Sequence, residues 1–467
     1  MLDYFPKFFT QKAILIYIGI LIFVSIVFRA MPALQLIFGV LEVMGFFYFS
    51  NRITMRWANL SERQFKRFLF QLSLVLRVLW VFISYFIYES YTGTPFDFSA
   101  ADALGYHNEA VWVSELISKD NLASYFRYIG GHYSDMGYPF YLGILYFITD
   151  DSIIFARLLK ALFGAGTVLV TYKLGSRHFG VEVARMGAIF LMLFPNHIFY
   201  TGYHLKEVEM IFLAMLFLER SDDLLRSVQY SFLKISIIFT IVGSLFFLRT
   251  VLGATALFAL LTTIFLSTKR ASKAGQRWFL AIWVVIAMSY FLGGTIATEV
   301  EEIWEMRSSS QEKSLEFRAE RVGGNKFATY ASASIFAPAI LVIPFPTMVN
   351  IESQPNQMMM NGGYFVKNFM AFFVLFAVFL IIKSKKWREN LLLSSFMIGY
   401  LIVVALSAFA QSERFHLPAM PVFLMFAAYG LNKFTEKEVR WYNYYLIFIV
   451  LAIVAWSWFK LAGRGII

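Results

Sequence analysis

The chain of 467 residues has no cysteine, so neither a disulfide nor a thiolate metal site can form, although that absence does not identify a compartment. Charge is scarce as well. Asp, Glu, Lys and Arg make up 15% of the residues, where a soluble domain of this size carries roughly a quarter. No P-loop, Rossmann glycine fingerprint or Gly-x-Ser-x-Gly elbow occurs, so nucleotide use and serine-hydrolase chemistry lack support. Internal repeats, low-complexity tracts and any stretch resembling a separate soluble domain are also missing. A cleavable signal peptide is not evident. The apolar stretch 13–28, followed by Arg29 and at once by a second apolar run, reads as a retained anchor.

What remains is apolar. Hydrophobic residues make up 59% and mean hydropathy is +0.63. Apolar runs of about 13 to 21 residues recur along the chain and read as membrane-spanning helices, several of them short for a span of about 20 residues and compatible with tilted pairs or re-entrant segments. The expected fold class is therefore an all-α polytopic integral membrane protein with about thirteen transmembrane helices. The runs are 13–28, 31–49, 68–88, 153–172, 184–200, 205–218, 232–247, 251–266, 278–296, 365–382, 391–409, 419–431 and 442–458. They form one membrane domain, 1–467, with 1–66 as a two-span N-terminal addition. A net charge of +11 in a soluble protein would suggest nucleic acid. Here the basic residues lie between apolar runs, where they set topology and contact lipid headgroups, so no nucleic-acid partner is expected.

Those basic residues fall on alternate connections. One set holds Arg52, Arg56, Arg63, Lys66, Arg67, Lys173, Arg177, Arg185, Arg220 and Arg226. It continues with Lys269, Arg270, Lys273, Arg277, Lys383, Lys385, Lys386, Arg388, Lys433, Lys437 and Arg440. Placing this set in the cytoplasm obeys the positive-inside rule. Two long polar regions, 89–151 and 297–363, and the turn 411–416 then face outward. That arrangement requires the short run 138–147 to lie at the outer surface as a juxtamembrane helix, since about ten residues cannot span a bilayer comfortably.

Three outward constellations carry chemistry. The segment 96–110 is polar, acidic and aromatic, with Asp97, Asp102, Tyr106, His107 and Glu109. On a helix, Asp102, Tyr106 and Glu109 share one face. A partly shielded carboxylate there can take a proton from an attacking hydroxyl. Asp102 also fits an N-cap, since it precedes a helical run and capping Asp residues are common. The turn Gln411-Ser412-Glu413-Arg414-Phe415-His416 is the second, with Arg414 at the outer interface, where a guanidinium grips a lipid phosphate or simply snorkels. The third is Tyr203-His204-Leu205-Lys206-Glu207-Val208-Glu209, where charges open a span and either pair within the bundle or face a cavity. Arg77, Arg157 and Arg249 raise the same question. His107, His132, His197, His204 and His416 fall on the outer side without tight ligand spacing, so no zinc site is indicated.

The order of these features resembles the GT-C superfamily of polytopic glycosyltransferases, in the branch of protein O-mannosyltransferases and lipid A aminoarabinose transferases. The likeness covers about residues 77–431. It runs from Leu76-Arg77-Val78-Leu79-Trp80 and Asp102…Tyr106 through Gly137-Tyr138-Pro139-Phe140-Tyr141 and the stretch 156–164. Pro195…Tyr200…Leu205-Lys206-Glu207 and Glu413-Arg414-Phe415-His416-Leu417-Pro418…Pro421 complete it. The resemblance implies a bundle with extracytoplasmic juxtamembrane helices in a bacterial cytoplasmic (inner) membrane, its active site facing the periplasm or exterior. It implies transfer, with inversion, from a polyprenyl-phosphate sugar to a hydroxyl on a glycan, lipid or protein. Asp102 matches the superfamily's base and Arg414 its late arginine. The expected substrate-binding set is Tyr106, His107, Lys206, Glu207, Arg249, Glu413, Arg414 and His416. No cofactor is required, because fixed cations can stabilise a phosphate leaving group; a divalent cation is compatible but not indicated. Two positions depart: Ala103 follows Asp102 where the mannosyltransferases have Asp-Glu, and a single Pro139 follows Tyr138 where many relatives have a basic residue and paired prolines.

Two other classes act on the same kind of substrate. A lipid-linked oligosaccharide ligase or polymerase would place its base in the 297–363 loop, which otherwise serves as a lid or a static cap over the cavity. A flippase or transporter would need polar residues through the bilayer midplane and repeat-related halves.

Overall fold

A computed structural model describes residues 2–28, 31–130, 136–227, 231–266, 324–330, 333–407 and 409–467, with short stretches inside 281–286 and 313–321. Among the described residues the secondary structure is helical throughout, without a strand. In chain order the helices are α1 (Lys7–Val27), α2 (Ala33–Trp57), α3 (Glu62–Thr92), α4 (Ala101–Ser118), α5 (Leu122–Ile129) and α6 (Gly137–Thr149). There follow α7 (Ile153–Phe179), α8 (Val181–Leu193), α9 (Pro195–Gly202), α10 (Glu207–Arg226), α11 (Phe232–Leu248) and α12 (Thr250–Leu266). After the stretch containing 267–332 come α13 (Ala333–Ala339), α14 (Pro355–Met359), α15 (Asn361–Lys383), α16 (Leu391–Ala405), α17 (Met420–Asn432) and α18 (Val439–Ala462).

Local chemistry sets several boundaries. Ser61 and Gln64 form a reciprocal capping box at the start of α3, and Gly93 ends that helix with φ +73°, a conformation that glycine adopts without Cβ strain. Pro195 lacks an N–H and opens α9 after a break, so α8 and α9 meet at 44° as one bent unit.

Among the described residues six helices are long and apolar enough to cross a membrane: α1, α2, α3, α7, α15 and the stretch Glu436–Ala462. The bent α8–α9 pair makes a seventh if counted as one span. That is fewer than the sequence expectation, for identifiable reasons. Phe232–Leu248, Thr250–Leu266, Leu391–Ala405 and Leu417–Asn432 are apolar but short. The second half of α10 carries Glu219, Arg220, Asp222, Asp223 and Arg226, and the expected run 278–296 lies largely outside the described residues. Leu15, Ile26, Ile447 and Leu451 expose more than half of their area, as a surface facing lipid chains would. The expected juxtamembrane run is α6, thirteen residues packed along α4 rather than a crossing helix. The N-terminal two-span addition is built into the bundle: α2 packs on α8 and α15, and Phe5, Phe9, Phe47, Phe369 and Phe373 interlock across these helices.

The helix ends sort into two faces. At one lie most of the basic connections. Arg177 and Lys173 pair with Glu219 at 2.9 and 2.6 Å, and Asp222 accepts from Arg226 at 2.8 Å. His178 lies 3.2 Å from Asn390, while Arg185 donates to the carbonyls of Trp57 and Leu60 at 3.1 and 2.6 Å. Lys269, Arg270, Lys273 and Arg277 lie outside the described residues. At the opposite face lie α4, α5 and α6, the α9–α10 and α11–α12 turns, the 406–419 turn and the described part of 324–363. The backbone of Lys326 there donates to Gly463 at 2.5 Å, and Asn356 donates to Asp97 at 2.9 Å, tying the two long polar regions to the bundle and to each other.

Candidate functional site

Three turns and one helix build the site. Beyond Gly93 the chain runs to α4 under two ties: Arg157 of α7 donates to the Pro95 carbonyl at 2.6 Å, and Asp97 accepts from Ser99 at 3.0 Å. Asp97 also accepts from Asn356 and does not line the cavity, so it holds the loop; burial pushes its carboxyl above its ordinary value. The α4 cap is Ala100, without a side-chain capping bond. Asp102 therefore lies in the first turn instead of capping it, and its side chain, 58% exposed, pairs with Arg414.

The α9–α10 turn is held from below. Lys160 donates to the Tyr203 carbonyl at 2.8 Å and to Tyr138 Oη at 3.0 Å, also contacts the Leu205 carbonyl, and reaches Glu209 at 3.7 Å. Lys160 thus makes the carboxylate pairing to Glu209, while Lys206 Nζ donates to the Leu248 carbonyl at 2.8 Å beside the Tyr106 ring. Arg249 caps α11 with extended backbone, and its guanidinium stacks 4.5 Å from the Phe415 ring centroid. The 406–419 turn is stiffened by Phe409 stacked on Phe415, with centroids 4.5 Å apart. Arg414 pairs with exposed Asp102 on one side and fully buried Glu207 on the other. Glu207 anchors the guanidinium, and a charge-assisted pair of this kind is the strong class of hydrogen bond.

These parts enclose an open cavity of about 940 Å³. Asp102, Tyr106, Lys206, Arg249 and Arg414 line it, and Glu207 lies directly behind. Burial, with Glu207 nearby, pushes the Tyr106 hydroxyl up to about 12, so it enters the cavity as a neutral donor. Three expected site residues face elsewhere. His107 lies 2.9 Å from Tyr146 Oη, which bridges to His204 at 3.0 Å. Glu413 turns inward toward Asn196 and Lys367. His416 accepts from Lys367 at 2.7 Å and lies 2.8 Å from the Ala410 carbonyl, to which its other nitrogen donates. His416 therefore braces the turn that carries Arg414. Arg77 is also structural, bound to Ser73 at 2.7 Å and His197 at 2.6 Å, and His132 lies outside the described residues.

Sequence reasoning missed part of the wall: Asn108, Trp112, Tyr128, Phe409 and Phe415. Trp112 was recoverable, because it continues the Asp102–Tyr106–Glu109 face by one more turn. Tyr128 arrives on α5 and carries no local signal. Among the described residues no group of three or more His, Asp or Glu side chains is placed to hold a metal ion. No protein-family model, no curated protein and no solved structure matches the chain.

Proposed function

We propose that the protein is a glycosyltransferase of the outer face of a bacterial cytoplasmic membrane, with the basic connections in the cytoplasm. It would move a sugar from a polyprenyl-phosphate donor to an acceptor hydroxyl, with inversion. The observation that carries this reading is the Asp102–Arg414 pair in a cavity whose other cations are Lys206 and Arg249. A carboxylate for the proton beside several cations for a phosphate is the chemistry this transfer needs.

In this reading the donor phosphate competes with Asp102 for Arg414, which remains tethered to Glu207. Its arrival releases the carboxylate. The acceptor oxygen attacks the anomeric carbon on the face opposite the phosphate, and its proton passes to Asp102. The bond from the anomeric carbon to the phosphate oxygen breaks with its electron pair, leaving polyprenyl phosphate with one more negative charge. Arg414 and Arg249 balance that charge as it develops, and Lys206, which burial and Arg249 lower to about 7, joins them as the phosphate charge favours its protonated form.

The test is transfer by purified protein in lipid nanodiscs from polyprenyl-phosphate hexoses and pentoses to a panel of acceptors. Asp102→Asn should lower turnover by about 10²–10⁴-fold, the usual worth of a general base, while donor binding persists. Equal turnover in the variant would overturn the assignment and move attention to the 297–363 loop or to transport.

A further inference from the structure

Resting on the transferase reading of this cavity, we infer that the acceptor is a carbohydrate longer than one ring, seated against Trp112 and Tyr128. The wall facing the cations is made by Asn108, Glu109 and Trp112 of α4 with Tyr128 of α5. The Trp112 and Tyr128 rings meet edge to face, with centroids 5.2 Å apart at 81°. Trp112 is braced from behind by Tyr125, centroids 5.8 Å apart. The Tyr125 hydroxyl lies 3.0 Å from Glu109 Oε1 and 3.1 Å from the Met136 carbonyl, which fixes Glu109 at the edge of the aromatic corner.

This corner presents flat apolar rings to a polar cavity. Tyr128 is 70% exposed. A pyranose suits such a surface, because one face is a sheet of C–H groups and the rim is a ring of hydroxyls. The C–H face covers the aromatic rings, while Asn108 and Glu109 provide donor and acceptor groups for the rim. Burial pushes the Glu109 carboxyl up from its ordinary value, while the Tyr125 hydrogen bond opposes that shift.

The alternative is that Trp112 and Tyr128 anchor the protein at the lipid interface. Helix α5 answers that. A separate, largely apolar groove of about 440 Å³ is lined by Phe126 of α5 with Phe140 of α6, Phe212 and Glu209 of α10 and Phe247 of α11. Phe126 and Tyr128 are two residues apart on α5, about 200° around a helix, so they face opposite ways. The apolar groove is the side suited to lipid, and Tyr128 faces the polar cavity. Length sets the size of the ligand. From Asp102 to Trp112 is about 15 Å along the helix axis, more than one pyranose ring covers, so the stacked ring is not the one that reacts.

Ligand-observed saturation-transfer NMR tests this with methyl glycosides and disaccharides of glucose, galactose, mannose and N-acetylglucosamine, and with a Ser/Thr-rich peptide. Disaccharides should receive saturation more strongly than methyl glycosides. Trp112→Ala and the surface variant Tyr128→Ser should each weaken binding by about three- to tenfold, the worth of one aromatic contact. Absence of saturation in every sugar, equal binding in both variants, or a peptide that binds through Trp112 instead would each overturn the inference. Farnesyl phosphate binding, read separately by thermal shift in wild type and Arg414→Gln, reports on the transferase reading. Loss of that dependence with sugar binding intact would sink the donor site and leave the carbohydrate site standing.

Discussion

Two adjacent residues, Glu413 and Arg414, behave in opposite ways because they lie on a tight 3₁₀ turn. Successive side chains there diverge by about 120°. Arg414 reaches outward to Asp102 in the cavity, and Glu413 points into the bundle beside Asn196, with Lys367 in range and Glu207 opposing its charge. Burial pushes Glu413 up to about 8. Between the ordinary carboxylate value and that point the folded protein holds a proton that the unfolded chain releases, so this group's contribution to stability falls as pH rises through the window. Glu413→Gln removes the titration. The variant should gain on wild type by up to about 1.4 kcal/mol per pH unit from pH 5 to pH 8, read as a widening gap in thermal midpoint in detergent. A constant gap would show that Glu413 does not titrate there. At this scale Asp102 and Arg414 were legible from residue type and sequence order. Glu413 and His416 were grouped with them only by proximity along the chain, and the turn geometry separates them.

At the scale of elements, the position of Asp102 depends on how closely α4 lies on α6. Gly143 is the contact point: a Cβ there would collide with Val113 and lie 3.1 Å from the Ala110 carbonyl. Gly143→Ala should force the helices apart, lower stability by about 1–3 kcal/mol through overpacking, and slow transfer because Asp102 and Trp112 move with α4. Gly45→Ala, where a Cβ meets open space, should do neither. Both are read by thermal unfolding and turnover in one preparation. Unchanged stability in Gly143→Ala would mean that the α4–α6 spacing is not under tension. The short run 138–147 was legible as a helix too short for a comfortable crossing, and it forms the thirteen-residue α6. Spans were harder. Helices such as α16, with fifteen residues, are apolar enough but too short, and nothing local says whether a short apolar helix crosses or stops within the bundle.

For the whole molecule, the basic connections at one face and the cavity at the other make sidedness testable. The absence of cysteine makes the test clean. Ser118→Cys, at the end of α4, should react with an impermeant maleimide applied to intact spheroplasts, and Ser176→Cys, beside Arg177, should react only after permeabilisation. The reverse pattern would overturn the proposed orientation and, with it, the proposed site on the outer face.

Composition and hydropathy along the sequence determined on their own that this is a helical membrane protein. Alternation of charge between apolar runs determined which of the described connections share a face. Both follow from the solvent, since a bilayer accepts long apolar helices and rejects charge whatever the chain does elsewhere. Only the tertiary structure decided the membership of the cavity. Asp102, Lys206, Arg249 and Arg414 come from four separate parts of the chain, and their meeting depends on packing through Lys160, Glu207, Gly143 and Lys367. Trp112 and Tyr128 meet because α5 folds back on α4, and side-chain packing of that kind leaves no periodic trace in the sequence.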